Sequence, residues 1–292
     1  MRKALILPAV AVFGGLIGLV VRSRFLVQAF EPGTGLPIGG VPVTYAMWAV
    51  ALITAAAIIV LSLGKHRTFE KAYTSAFGRG NMIQTSCTLA AAGLFLAAGF
   101  FNMEAFVSSP VNTFTMAREV SVVRPILGVV CLGAAAGIWF VTQEMKSFQQ
   151  AKSIWTLLPG FASCLWVMAN YQNWAQDPTI ERYLLSLVAI LLSMVGCYCL
   201  PGFAFGKGQV TLTLMVCLLA GAFGIMVLGD GLPLMDTALI LAMVFYLVSM
   251  ASVLLDNDAR PEPPKFEAPP TCGGSCHGCT GCGPIPSAES EN

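Results

Sequence analysis

Four cysteines and a histidine near the C-terminal end are the residues whose types and spacing most plainly suit chemistry. Cys272, Cys276, Cys279 and Cys282, with His277 among them, form a C-x3-C-x2-C-x2-C run. Thiolates this close together suit a soft metal: zinc, copper(I) or an iron–sulfur cluster. The intervening glycines free the backbone to wrap, so that several sulfurs can converge. In a reducing cytoplasm such a run is a metal or redox site more often than a disulfide framework. Thiol redox chemistry and a tail with no specific ligand remain alternatives. One short run strains a single tetrahedral site, so three sulfurs with an external ligand, or a site shared between two chains, is an easier arrangement. The first three cysteines share the spacing of radical-SAM enzymes, but that chemistry needs a soluble barrel for which this chain has no residues.

A second set of candidates lies in apolar surroundings. Glu104, in Phe100-Phe101-Asn102-Met103-Glu104, closes an apolar run, and Asn102 stands two positions before it. Ionisable groups at membrane depth are costly and are retained for a reason. Glu104 would handle a proton or cation, or hydrogen-bond a quinone. Its structural alternative is an interfacial carboxylate paired with Arg118, Arg124 or water. Asn170, Tyr171 and Trp174 close another run and read as interfacial anchors. Asp230 and Asp236 flank a short turn containing Gly231 and Pro233. They read as solvated, with Asp236 placed to cap the next helix. Cys87, Cys131, Cys164, Cys197, Cys199 and Cys217 fall in apolar segments and read as small packing residues.

These residues sit in a chain that is 56% hydrophobic and only 11% charged. Soluble domains carry about 25% charged residues, so lipid must be the solvent for most of this one. The net charge of +1 lacks the clustered basic face that nucleic acid requires. The two histidines, His66 in a charged loop and His277 in the tail, exclude a haem held between histidines on facing helices. No mid-helix Lys, Arg, Asp or Glu is present, which weighs against a proton- or sodium-coupled transporter.

A helix needs about 20 apolar residues to cross the hydrocarbon core. Such runs occur near 4–21, 43–64, 86–107, 125–142, 154–170, 183–205, 209–228 and 236–255. Arg2 and Lys3 before the first run resemble a signal peptide. No small-residue cleavage pattern comes after it, so the run reads as a retained first helix. With the N-terminus in the cytoplasm, Arg2, Lys3, Lys65, Arg67, Lys71, Arg79, Lys146, Lys152, Lys207, Arg260 and Lys265 fall inside. Only Arg22, Arg24, Arg118, Arg124 and Arg182 fall outside, as the positive-inside rule prefers. Both termini are therefore expected in the cytoplasm of a plasma or bacterial inner membrane.

The outer segment 22–42, rich in Gly and Pro, reads as a turning connector, with an ordered hairpin as the alternative. The outer segment 108–124 has room for a short interfacial helix. Gly14-x3-Gly18, Gly93-x3-Ala97 and the small runs at 134–137 and 220–222 predict close helix packing. No internal repeat is visible. After Leu255 the Pro-rich stretch 260–270 predicts an extended tether of about 35 Å at 3.1 Å per residue.

The expected fold class is all-α: a polytopic membrane helical bundle of about eight transmembrane helices with a disordered, Cys-rich cytoplasmic tail. The bundle spans residues 1–256 and the linker and tail 257–292. No motif marks an enzyme. A membrane scaffold or accessory subunit with a metal-binding tail is the leading expectation, the tail also serving to dock a soluble or membrane protein partner. A transporter or permease, and a quinone-interacting anchor subunit, are the alternatives. The last shares only length and helix count with the quinol-oxidising anchors of multi-subunit reductases.

Overall fold

The computed structural model describes residues 2–32, 34–64, 66, 69, 72–78, 80–109, 122–143, 154–175 and 179–260. The tail with Cys272, Cys276, His277, Cys279 and Cys282, and residues 110–121 of the second outer segment, lie outside these residues. The chain divides into Met1–Ala259 and Arg260–Asn292. All the described helices belong to the first of these units.

Among the described residues the chain is helical and has no strand. In hydrocarbon every peptide group must be satisfied within its own segment, which selects the helix. The elements are α1 (Arg2–Gln28), α2 (Pro42–Ser62), α3 (Ala72–Phe77), α4 (Met82–Ser108), α5 (Val123–Gln143), α6 (Ile154–Trp174), α7 (Ile180–Gly202), α8 (Val210–Val227) and α9 (Leu234–Asp258). Seven are long and apolar enough to cross a membrane. The remaining long helix, α6, has 21 residues, is interrupted by Pro159 and closes on Asn170-Tyr171-Gln172-Asn173. It packs between α5 and α7. The molecule is a multi-pass helical membrane bundle.

The core lies around α8 and α9. Their apolar windows are 72% and 78% buried inside the protein, whereas those of the other spans are 22–44% buried. Helix α9 packs against α4 on one side and α8 on the other, and α1, α2 and α7 gather on α8. Glycine makes these approaches possible. A Cβ on Gly14 would stand 2.5 Å from Thr54 of α2, one on Gly18 2.5 Å from Met226 of α8, and one on Gly224 2.7 Å from Val244 of α9. Gly93 departs from the expectation of close packing. Nothing lies within 4 Å of its Cβ position, because α4 turns that side away from α5 and α9.

Two further departures concern segments read as loops. Helix α1 does not stop at the basic residues after Val21 but continues to Gln28, since Arg22 is neutralised inside the protein. The segment after it is an ordered hairpin, not a bare connector. Phe30 and Pro37 form an antiparallel bridge, Glu31 N–H donates to Leu36 O at 2.9 Å, and Ile38 N–H donates to Ala29 O at 2.7 Å. Gly35 takes φ +68°, a conformation natural to glycine, and its carbonyl accepts Thr179 Oγ1–H at 3.2 Å.

The charged segment between α2 and α4 contains the buried helix α3. Its Tyr73, Ala76 and Phe77 have no exposed surface, and the Phe77 ring meets Phe203 edge-on at 5.4 Å. Burial pushes the Tyr73 phenol well above the ordinary tyrosine range.

Because Gly224 has no free space opposite it and Gly93 does, their substitutions separate cleanly. Gly224→Leu is expected to cost about 1–3 kcal/mol by overpacking the α8–α9 contact. Gly93→Leu is expected to stay within about 0.5 kcal/mol of the parent. Melting of the two purified variants in one detergent checks this.

Candidate functional site

The turn joining α8 to α9 carries two carboxylates, Asp230 in the 3-10 turn Leu228–Asp230 and Asp236 in the first turn of α9. Gly229 seats this turn on α1, where a Cβ would stand 2.8 Å from the Leu19 carbonyl oxygen. Gly231 comes next at φ +65° and reverses the chain. We call this the distal end of the bundle and the end where α9 finishes the proximal end.

Each carboxylate takes one arginine. Arg124, the second residue of α5, donates Nη1–H to Asp236 Oδ1 at 2.6 Å and Nη2–H to Asp236 Oδ2 at 3.2 Å. This is the bidentate fork that guanidinium and carboxylate geometry favours. Trp166 of α6 adds Nε1–H to Asp236 Oδ1 at 2.7 Å. Arg124 also donates to Asn170 Oδ1 at 2.6 Å and to Asn102 Oδ1 at 3.1 Å. Asn102 donates its own Nδ2–H to the Ala98 carbonyl at 2.8 Å, which fixes the amide so that its oxygen faces the arginine. Exposure ranges from 0% at Asn102 to 7% at Asn170, with Arg124 at 2% and Asp236 at 3%. Four helices thus contribute to one dry polar cluster.

The second pair is Arg22 of α1 with Asp230. Arg22 Nε–H donates to Oδ1 at 2.7 Å and Nη2–H to Oδ2 at 3.3 Å. Nη2 also donates to the Arg182 carbonyl, and Ser186 of α7 donates to Asp230 Oδ2 at 2.7 Å. The guanidinium lies 5.2 Å from the Phe25 ring centroid.

The proximal end is held by a different set. His66 Nδ1 is 2.8 Å from Asp258 Oδ2, and Nε2 is 2.8 Å from the Ser62 carbonyl. A carbonyl only accepts, so Nε2 carries a hydrogen. Asp256 accepts from Asn81 Nδ2 at 3.0 Å and Gln84 Nε2 at 2.6 Å, and Asn257 Nδ2–H donates to Ala76 O at 2.7 Å.

The two intramembrane candidates therefore separate. Asn102 enters the buried cluster. Glu104 is exposed on α4, and its carbonyl accepts Ser108 Oγ–H at 2.8 Å. Of the partners offered for Glu104, Arg124 is taken, because it points into the bundle at Asp236, and Arg118 lies outside the described residues. Asp230 and Asp236 are not solvated. Pro233 holds the cap position of α9, and the Asp236 side chain turns inward. Asn170 is a buried ligand of Arg124 rather than an anchor, whereas Trp174 stacks on Tyr183 at 5.6 Å.

Sequence reasoning does not find Trp166, Ser186 or either ion pair. The one signal it offers is that Arg22, Arg124, Asp230 and Asp236 all fall at run ends on one side. Among the described residues no group of three or more His, Cys, Asp or Glu is placed to hold a metal.

No family model, curated protein or solved structure matches this chain. Function must therefore be read from geometry. Both Asp236 oxygens are occupied by hydrogen bonds from Arg124, and Oδ1 also by one from Trp166. The cluster's chemical capacity is to lock helices together.

Removing one partner strands the other as a buried charge. Arg124→Ala and Asp236→Ala are each expected to cost about 3–5 kcal/mol. The double variant Arg124→Leu/Asp236→Leu is expected to cost less than either single change, since neither charge is then left unpaired. Trp166→Phe, which removes a single donor, is expected to cost about 1–3 kcal/mol. Unfolding midpoints of the four variants, measured in the same micelles, check the order.

Proposed function

We propose that this chain is a non-catalytic scaffold or accessory subunit of a cell membrane. Both termini lie in the cytoplasm, and a thiol-rich tail that binds a soft metal is held on a Pro-rich tether. The carrying observation is that the buried charges of the bundle are spent on each other. Arg22 with Asp230, and Arg124 with Asp236, are saturated by hydrogen bonds. That leaves structure, rather than solute binding or proton transfer, as their role. The orientation rests on the excess of Lys and Arg on the side of the termini. The ligand class rests on four thiols within a short glycine-containing run.

A transporter would place a paired or pairable charge beside an interior cavity. Two cavities among the described residues, of about 400 and 430 Å³, are crevices lined mainly by apolar residues. A quinone-handling reading rests on Glu104, which stands exposed on α4 and outside the linings of these two crevices.

The test compares zinc, iron and copper in the full chain with the full chain carrying Cys272, Cys276, Cys279 and Cys282 all changed to Ser, both purified without oxygen. A stoichiometric loss of at least one metal in the variant is expected. Equal contents of all three metals would sink the tail reading. A reporter fused after Asn292 is expected to be active only on the cytoplasmic side.

A further inference from the structure

The lateral crevice between α6 and α7, about 400 Å³ in volume, is lined by sulfur as well as carbon: Cys164, Met194 and Cys197 all contribute to its wall. Cys164 Sγ lies 3.2 Å from Met194 Sδ across the helix interface. Met194 and Cys197 stand one turn apart on α7, and so share a face. Gly160, one turn before Cys164 on α6, lets the two helices close. A Cβ there would come within 3.4 Å of the Cys197 Cβ.

The three sulfurs are not equivalent. Cys197 is fully buried at the floor, while Cys164 stands exposed at the mouth as a free thiol. A cysteine used only for packing belongs inside the core. Cys164 fills no core, and its nearest polar contact is another sulfur.

We propose that this crevice binds Cu(I) through Cys164, Met194 and Cys197. Thiolate and thioether donors together select a soft monovalent ion. Charge decides between Cu(I) and zinc. When the metal binds, the Cys164 thiol passes its proton to the ligand that delivered the Cu(I), and the Cu–S bond takes the place of the S–H bond. One thiolate and one Cu(I) make a neutral unit, which a low-dielectric site tolerates. Met194 completes the pair by donating a thioether lone pair, Cys197 stays a protonated thiol at the floor and adds only a weak third contact, and no electron is transferred. Zn(II) would demand a fuller tetrahedral set and more compensating charge. Two thiols and a thioether are too few for zinc, whereas Cu(I) accepts low coordination. This inference is independent of the tail reading.

The test uses the full chain with the four tail cysteines changed to Ser, purified anaerobically in detergent and titrated with Cu(I) against a chromophoric Cu(I) chelator. One Cu(I) per chain is expected to be retained, with a sulfur-only coordination shell by X-ray absorption. Added to that background, Cys164→Ser and the volume-conserving Met194→Leu are each expected to weaken binding about tenfold or more, a loss of about 1.4 kcal/mol or more. Melting midpoints of both variants are expected to match the parent, which separates lost ligation from lost fold. Cys87→Ser, in the other crevice, is expected to leave binding unchanged. The proposal is overturned if the tail variant takes no Cu(I) from the chelator. It is also overturned if Cys164→Ser and Met194→Leu bind as tightly as their parent, or if Cys87→Ser loses binding equally.

Discussion

Two carboxylates on one short turn hold the distal end of this bundle together. Asp230 draws in Arg22 from α1 and Ser186 from α7. Asp236 draws in Arg124 from α5 and Trp166 from α6, and through Arg124 it reaches Asn102 of α4 and Asn170 of α6. Every long helix except α2 is thereby tied to the segment between α8 and α9. The constraint is electrostatic. A carboxylate or guanidinium taken out of water must find its opposite charge and satisfy its remaining donors and acceptors. Both pairs here meet both conditions. The apolar contacts around α8 and α9 are set in turn, because the turn fixes where α8 ends and α9 starts.

Much of this architecture was legible in the sequence, and the reason is physical. A membrane span must be apolar over its whole length and must satisfy its own backbone, so composition marks the seven helices apolar enough to span, while α6, the eighth long helix, falls short of that measure. What escaped was pairing. Arg124 and Asp236 are 112 residues apart, and Arg22 and Asp230 are 208 apart. A single sequence carries nothing that joins positions so distant. Each residue, read alone at a helix end, looks like an interfacial charge facing water. Only the packing of α4 against α5 and α9, and of α1 and α7 against α8 and the turn after it, turns them inward. Helix α3 escaped for a related reason. Its six residues sit in a charged segment, and its burial depends on Phe203 and Asn257 from elsewhere in the chain.

Small residues show the same limit. Gly14, Gly18, Gly221 and Gly93 all sit at spacings or in small-residue runs that allow two helices to approach. The first three are pressed against neighbours, whereas Gly93 has open space. Spacing states what a helix face permits. Which face meets a partner depends on the rotation of the whole helix. For α4 that rotation is set by Asn102 and by the Thr88–Ser249 hydroxyl pair at 3.0 Å, both of which place the opposite side toward α5 and α9. Glu104 is carried outward by this rotation, which is why an apparently promising carboxylate stands apart from the buried cluster.

The distribution of polarity along α9 bears on what the bundle can do. At its distal start α9 is fixed by Asp236, and at its proximal end by Asp256, Asn257 and Asp258, which engage Asn81, Gln84, the Ala76 carbonyl and His66. Between them the helix is almost wholly apolar. Sliding or tilting α9 would break directional bonds at both ends at once, and apolar contacts in the middle offer no alternative register to compensate. Bistable elements that support alternating access need two arrangements of comparable energy. A helix pinned at each end by saturated polar groups has one. The resulting stiffness holds the frame on which α1, α4 and α8 pack.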